Sequence, residues 1–202
     1  MEHPPQGQRP REHAAYTGAL VIGVLVAAMW IVEVVNAIDG QRLDSDGIIA
    51  RTLSGLPGIL SAPFLHAGFG HLIENTIPFV ILGLLIALSG ATQVVAVTVI
   101  VAIISGLGAW SLSAAGTDTI GASGVVFGFA TFLVSRGFFA RDGVQIAVGV
   151  LVAVLFGAAL VASLVPHSGI SWEAHASGAV GGVIAARVLA GRPRAVAGAE
   201  NE

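Results

Sequence analysis

The sequence predicts an all-α polytopic membrane protein, a bundle of six transmembrane helices with both termini on the cytoplasmic side. Three observations carry this. Of the 202 residues, 55% are hydrophobic and only 10% charged, with a mean hydropathy of +0.88. A soluble domain of this size cannot bury so much apolar surface or solvate its exterior with so few charges, so lipid is the main solvent. Six apolar runs are long enough, or nearly so, to cross a hydrocarbon core of ~30 Å. The arginines, finally, are distributed unevenly between the two sides those runs define.

The runs fall at about 14–36, 69–89, 92–112, 121–136, 143–164 and 172–190. The first follows a polar, proline-rich segment, 1–13, and is too long for a signal-peptide core, so it reads as a retained span. The second and third are joined only by Gly90 and Ala91, a tight helical hairpin, and the fifth and sixth are parted by the breaker VPHSGIS. A short polar tail, 191–202, follows the last span. With the N-terminus inside, Arg9, Arg11, Arg136, Arg141, Arg187, Arg192 and Arg194 are cytoplasmic and only Arg42 and Arg51 are external. The long external connection, about 37–65, carries Ile48, Ile49, Leu53, Leu56, Ile59, Leu60, Phe64 and Leu65 around Pro57-Gly58. Such a segment is expected to lie half-sunk in the outer leaflet.

The balance of charge excludes some functions. There is no lysine, the net charge is −3, and nothing resembles a nucleic-acid footprint, so no nucleic-acid partner is expected. The absence of cysteine removes disulfides, thiolate metal sites and cysteine nucleophiles. No metal or other cofactor is called for, and no internal repeat of the kind found in many transporters is evident.

The fourth span is the unusual one. From Gly121 to Arg136 it holds about 16 residues, or roughly 24 Å of helix, short of the hydrocarbon thickness. With Arg136 at the inner surface, Ser123 is expected several ångströms below the outer one, at a helix start whose first N–H groups lack intrahelical acceptors. Irregular backbone at that depth requires a protein-lined or water-filled hollow. His71 and Asn75, at i and i+4, share a face near the outer end of the second span. His175, near the outer start of the sixth, shares a face with Gly178 and Gly182, and the fourth span offers Gly124 and Gly128 for close helix packing.

Each residue has a plain structural reading. A lone membrane serine back-bonds to its own helix, glycine pairs pack helices, and a histidine or asparagine can join helices by a hydrogen bond. Together they make a reaction centre: a hydroxyl nucleophile at Ser123, a general base at His175, and oxyanion donors at His71, Asn75 and the start of the fourth span. No carboxylate is placed as a third member, since Glu173 points away from His175 and Asp118 is in the preceding loop. The expectation is a Ser–His dyad. Glu74, beside Asn75, either faces the membrane surface or lies near His71.

At these positions the sequence resembles the rhomboid family of intramembrane serine proteases. The resemblance rests on HAGFGHLIEN (His66, His71, Asn75), GASG (Gly121 to Gly124) and HASGAVGG (His175, Gly178, Gly182), in the family's order on the second, fourth and sixth spans. It covers about 51–190. It implies a rhomboid-like bundle, Ser123 as nucleophile, His175 as base, His71 and Asn75 at the oxyanion hole, and His66 holding the external loop. Phe127 stands where the family often has tyrosine, and its ring can stack on His175. The family's tryptophan–arginine pair in the external loop is not evident. The implied partners are membrane lipid and single-span protein substrates cut near the outer face, in a prokaryotic cell membrane. An inactive rhomboid-like binding protein, or a metal transporter built on His71, Glu74 and His175, are the alternatives.

Overall fold

The computed structural model describes residues 8–166 and 169–190, with the side chains of 8–11 left out. Helix α1 runs Gln8–Ile38. A connection follows that contains a 3-10 turn at Arg42–Asp46, a two-residue strand β1 (Ile48–Ile49), another 3-10 turn, a one-turn helix α2 (Gly58–Ser61) and a last 3-10 turn at Ala62–Phe64. Then come α3 (Phe69–Ala87), α4 (Ala91–Leu112), strand β2 (Asp118–Thr119), α5 (Ser123–Ala140), α6 (Gly143–Ala162) and α7 (Trp172–Leu189). Five helices, α1, α3, α4, α5 and α6, are long and apolar enough to cross a membrane. α7 is as long as α5 but carries Glu173, His175 and Arg187 and is more polar. The chain is therefore a nearly all-helical polytopic membrane bundle.

Burial ranks the helices. Over half of the apolar window of α5, 56%, is buried, against 11% for α6, so α5 is the central post and α6 is a peripheral helix that rests on it. Phe129, Phe132 and Leu133 of α5 meet Leu72, Phe79, Leu82 and Ile86 of α3 and Val94, Val97 and Val101 of α4 in one apolar core. The apolar side chains of α1 and α6 point largely outward, as expected of surfaces solvated by lipid.

α5 and α7 are in backbone contact. A Cβ on Gly178 or Gly182 would collide with the carbonyl oxygen of Gly124 or Gly128, respectively. Hydrogen bonds lock this packing: Thr131 donates to the Ala179 carbonyl (2.8 Å), and Ser105 of α4 donates to the Ala174 carbonyl (2.8 Å).

The connection after α1 is folded, and it sets the start of α5. Strands β1 and β2 pair antiparallel, with Ile48 opposite Thr119 and Ile49 opposite Asp118. The Gly121 N–H donates to the Ala62 carbonyl (2.8 Å), and the Trp110 indole N–H donates to the Thr52 carbonyl (2.7 Å). Asn36 caps the end of α1, accepting from the Leu43 N–H and donating to Gln41 and Asp44.

One sequence expectation needs correction. The fourth span does not stop at Arg136; α5 continues one turn to Ala140 and ends on Arg141 in the left-handed conformation (φ 54°). Its 18 residues span about 27 Å. Arg136 does not end the helix: half-buried, it donates to Gln145 (2.8 Å) and to the exposed Ser89 of the α3–α4 turn (2.9 Å), with its guanidinium over the Phe132 ring, while α5 runs on past it. The depth of Ser123 follows from a different comparison. Gly124 abuts Ser105, and α4 continues from Ser105 to Leu112, seven residues or about 10 Å beyond that level.

Candidate active site

Ser123 is the first residue of α5, and the N–H groups of Ser123, Gly124 and Val125 precede the first intrahelical bond, which Val126 makes to Ala122. No side chain caps this terminus. Gly121 makes the turn that aims it: its φ of 110° suits only glycine, and a Cβ there would stand 2.9 Å from Nε2 of His71. His175 sits in the first turn of α7, whose N-cap Ser171 accepts from the Ala174 N–H.

The two helix starts bring Ser123 and His175 together. Ser123 Oγ lies 2.8 Å from His175 Nε2, and His175 Nδ1 lies 3.0 Å from the Ser163 carbonyl oxygen. A carbonyl can only accept, so Nδ1 carries the proton and Nε2 presents its lone pair to the serine hydroxyl. Phe127, one turn along α5, stacks on the imidazole with centroids 4.3 Å apart and planes 10° from parallel. His175 is thus fixed on three sides: by Ser123, by Ser163 and by Phe127.

Ser163 lacked a side-chain signature in the sequence because it acts through its backbone. It ends α6, where carbonyls have no intrahelical donor. The turn continues with 3-10 bonds from Leu164 to Val161 and from Val165 to Ala162. The next bond in that series would run from residue 166 to Ser163, but residue 166 is proline and has no N–H. Pro166 therefore leaves the carbonyl open to His175, and it was the one sequence signal for this contact.

On the facing wall, His71 Nδ1 accepts from the Ala67 N–H at 3.3 Å, so its Nε2 carries the proton and points at the Gly121 turn. Asn75, buried beside it, spends one amide N–H on the His71 carbonyl (2.9 Å) and keeps the other. Both residues line the same cavity as Ser123 and His175, a hollow of about 390 Å³ between α3, α5, α6 and the start of α7. Glu74 lines it too, is exposed, and makes no ion pair with His71.

His66 lies outside this cavity. Its ring is fully buried with its edge toward His71, 5.1 Å between centroids, and neither ring nitrogen makes a well-formed hydrogen bond among the described residues. Burial lowers its pKa from 6.5 to about 4, helped by the neighbouring His71; the Phe64 backbone opposes the shift without being placed for a full hydrogen bond. The remaining sequence-selected residues, Gly124, Gly178 and Gly182, form the α5–α7 contact beside the Ser123–His175 pair. Among the described residues no three His, Asp or Glu side chains converge as a metal site would require.

The architecture and the hollow together define a multi-pass integral membrane protein with a hydroxyl–imidazole pair recessed between its helices. Residues 54–192 match the Rhomboid domain, and the chain belongs to the rhomboid family, whose members are typically serine intramembrane proteases. Its relatives include an uncharacterized protein of Mycobacterium tuberculosis (strain ATCC 25618 / H37Rv), 39% identical over 198 residues that cover 94% of this chain and 82% of the relative. Another, an uncharacterized protein of Mycobacterium leprae (strain TN), is 36% identical over 203 residues, covering 96% and 80%.

Proposed function

We propose that this protein is a serine endopeptidase that cuts single-span membrane proteins near the outer end of their spans, using Ser123 and His175 as a dyad. The observation that carries the reading is the 2.8 Å contact from Ser123 Oγ to His175 Nε2, with the opposite ring nitrogen held by the Ser163 carbonyl. In this tautomer His175 takes the proton as Ser123 Oγ attacks the scissile carbonyl. The Ser163 carbonyl, at the negative end of the α6 dipole, stabilises the imidazolium that forms. It supplies the orientation that a carboxylate supplies in a triad.

The negative charge on the tetrahedral oxygen develops among donors already in place. His71 Nε2–H, the free Asn75 amide N–H and the first N–H groups of α5 face the cavity from two sides. His175 then returns the proton to the leaving amine, and water repeats the sequence to release the acyl group. A regular transmembrane helix hides its carbonyls in its own hydrogen bonds, so substrates are spans whose outer end unwinds, helped by Gly, Pro or Ser. The arginine asymmetry supports both termini inside and the hollow opening outward, with α7 as the sixth span. The mycobacterial relatives support a prokaryotic cell membrane as its location.

Two measurements test this reading. Single cysteines at Ser45 and Gly143 should react with an impermeant maleimide from outside intact cells and only after lysis, respectively. Mass spectrometry of the products should place the cut in the outer third of the substrate span. A cut near the cytoplasmic end, or the reversed labelling pattern, would overturn the proposal.

A further inference from the structure

The cavity wall formed by α3 carries a feature that the dyad and the oxyanion donors do not use. Glu74 is the one side chain lining the hollow, histidines apart, that bears a charge, and it bears it as a pure acceptor. Among the described residues the single ion pair joins Arg42 to Asp39, and none of them pairs a cation with Glu74. The opposite wall cannot, because α6 has no ionisable residue anywhere along its length. Four residues on, Pro78 interrupts α3 and also lines the cavity. Its missing N–H is the one that would have bonded the Glu74 backbone carbonyl. Residue 74 thus offers two acceptors beside Asn75, an exposed carboxylate that lines the hollow and a carbonyl deprived of its helical donor.

We propose that the Glu74 carboxylate and the adjacent Glu74 carbonyl form a subsite for a basic side chain, lysine or arginine, of the substrate. An ammonium or guanidinium brings several donors and the opposite charge, and so satisfies both acceptors at once. A neutral side chain answers neither charge nor donor deficit, and an acidic one adds repulsion. The subsite lies beside Asn75, so the basic residue falls within a few positions of the scissile bond. The inference rests on the proteolytic reading of this cavity and adds to it the chemistry of the preferred substrate.

The test is a charge exchange in liposomes. In a single-span substrate, each of the four residues on either side of the mapped cut is made Lys, Gln or Glu in turn, and kcat/KM is measured for the wild type, Glu74→Gln and Glu74→Arg. At one or two positions the wild type should rank Lys above Gln above Glu, about tenfold from end to end for an exposed carboxylate. Glu74→Gln should collapse that ratio toward one, and Glu74→Arg should invert it. A second arm measures binding of the Lys and Glu substrates to Ser123→Ala by energy transfer, with and without Glu74→Gln, and so reports on the subsite without cleavage. A wild type without charge ranking in either arm, or a ranking that survives Glu74→Gln, overturns the proposal. Cleavage that still depends on Ser123 would then leave the protease reading standing, whereas cleavage independent of Ser123 would remove that reading while the binding arm still judges the subsite.

Discussion

Replacing Gly178 with alanine should separate the two halves of the reaction centre. A Cβ built on Gly178 collides with the Gly124 carbonyl oxygen and stands 2.9 Å from its carbon and 3.2 Å from the Gly124 Cα. Comfortable carbon contacts lie at about 3.5–4.0 Å, so α7 must withdraw from α5 by about 1 Å. Both partners are backbone, and no side chain can rotate away to absorb the clash. Overpacking of this kind costs about 1–3 kcal/mol of stability. The kinetic effect is larger, because Gly124 directly follows Ser123 and Gly178 lies about one helical turn after His175. An added 1 Å takes the 2.8 Å Ser123–His175 contact out of hydrogen-bond range, and misplacement on that scale costs about a hundredfold in rate. The assay is turnover of a single-span substrate in liposomes, with thermal melting in detergent to verify that the variant is folded. Gly23→Ala, where a new Cβ meets nothing within 4 Å, is the control. A folded Gly178→Ala variant with wild-type turnover would refute the claim that this contact sets the Ser123–His175 distance.

Other outcomes follow from the same geometry. Asn75→Ala and His71→Ala should each lower kcat by about a hundredfold to a thousandfold, the usual effect of losing one oxyanion donor, while melting temperatures hold; full activity in either would assign that residue to structure alone. Pro166→Ala restores an N–H that can compete for the Ser163 carbonyl, so 15N spectra of His175 should show a mixture of tautomers and kcat should fall with KM little changed. Lactic acid at position 166, which also lacks the N–H, should behave like proline; equal losses in both variants would mean that the ring, and not the missing donor, matters. His66 gives a pH dependence. Its folded pKa of about 4 lies below the unfolded 6.5, so the unfolded chain takes up the proton first, and stability complete above pH 6.5 is lost as pH falls toward 4. Melting temperatures should drop across that window and flatten in His66→Asn; an equally steep drop in the variant would place the acid sensitivity elsewhere.

Much of the fold was legible because lipid leaves few options: apolar runs long enough to cross it must be helices, and their ends show in the Gly, Pro and charge punctuation. The helix spans expected from 69, 92 and 143 all begin within a residue of α3, α4 and α6. The fourth runs four residues past the expected bound at Arg136. Nothing in one sequence reveals that Ser89, 47 residues away, would bond its guanidinium at the α3–α4 turn while the helix runs one turn further. The internal order of the segment at 37–65 was not legible for a similar reason. Its order comes from β1–β2 pairing and from the Trp110–Thr52 bond, contacts across long sequence separations that no local pattern encodes. Within the site, Ser123, His175, His71 and Asn75 stood out because polar side chains in a membrane need a reason to be there. The Ser163 carbonyl did not, since every residue carries one; the proline three residues later was its only trace.

The most direct measurement compares wild type with Ser123→Ala on one single-span substrate in liposomes, with a fluorophosphonate probe as a second reading of the same hydroxyl. The wild type should cleave and be labelled at Ser123, Ser123→Ala should do neither, and adding His175→Ala to it should change nothing further, because the two residues act as one unit. Cleavage by Ser123→Ala at a substantial fraction of the wild-type rate would contradict the dyad reading.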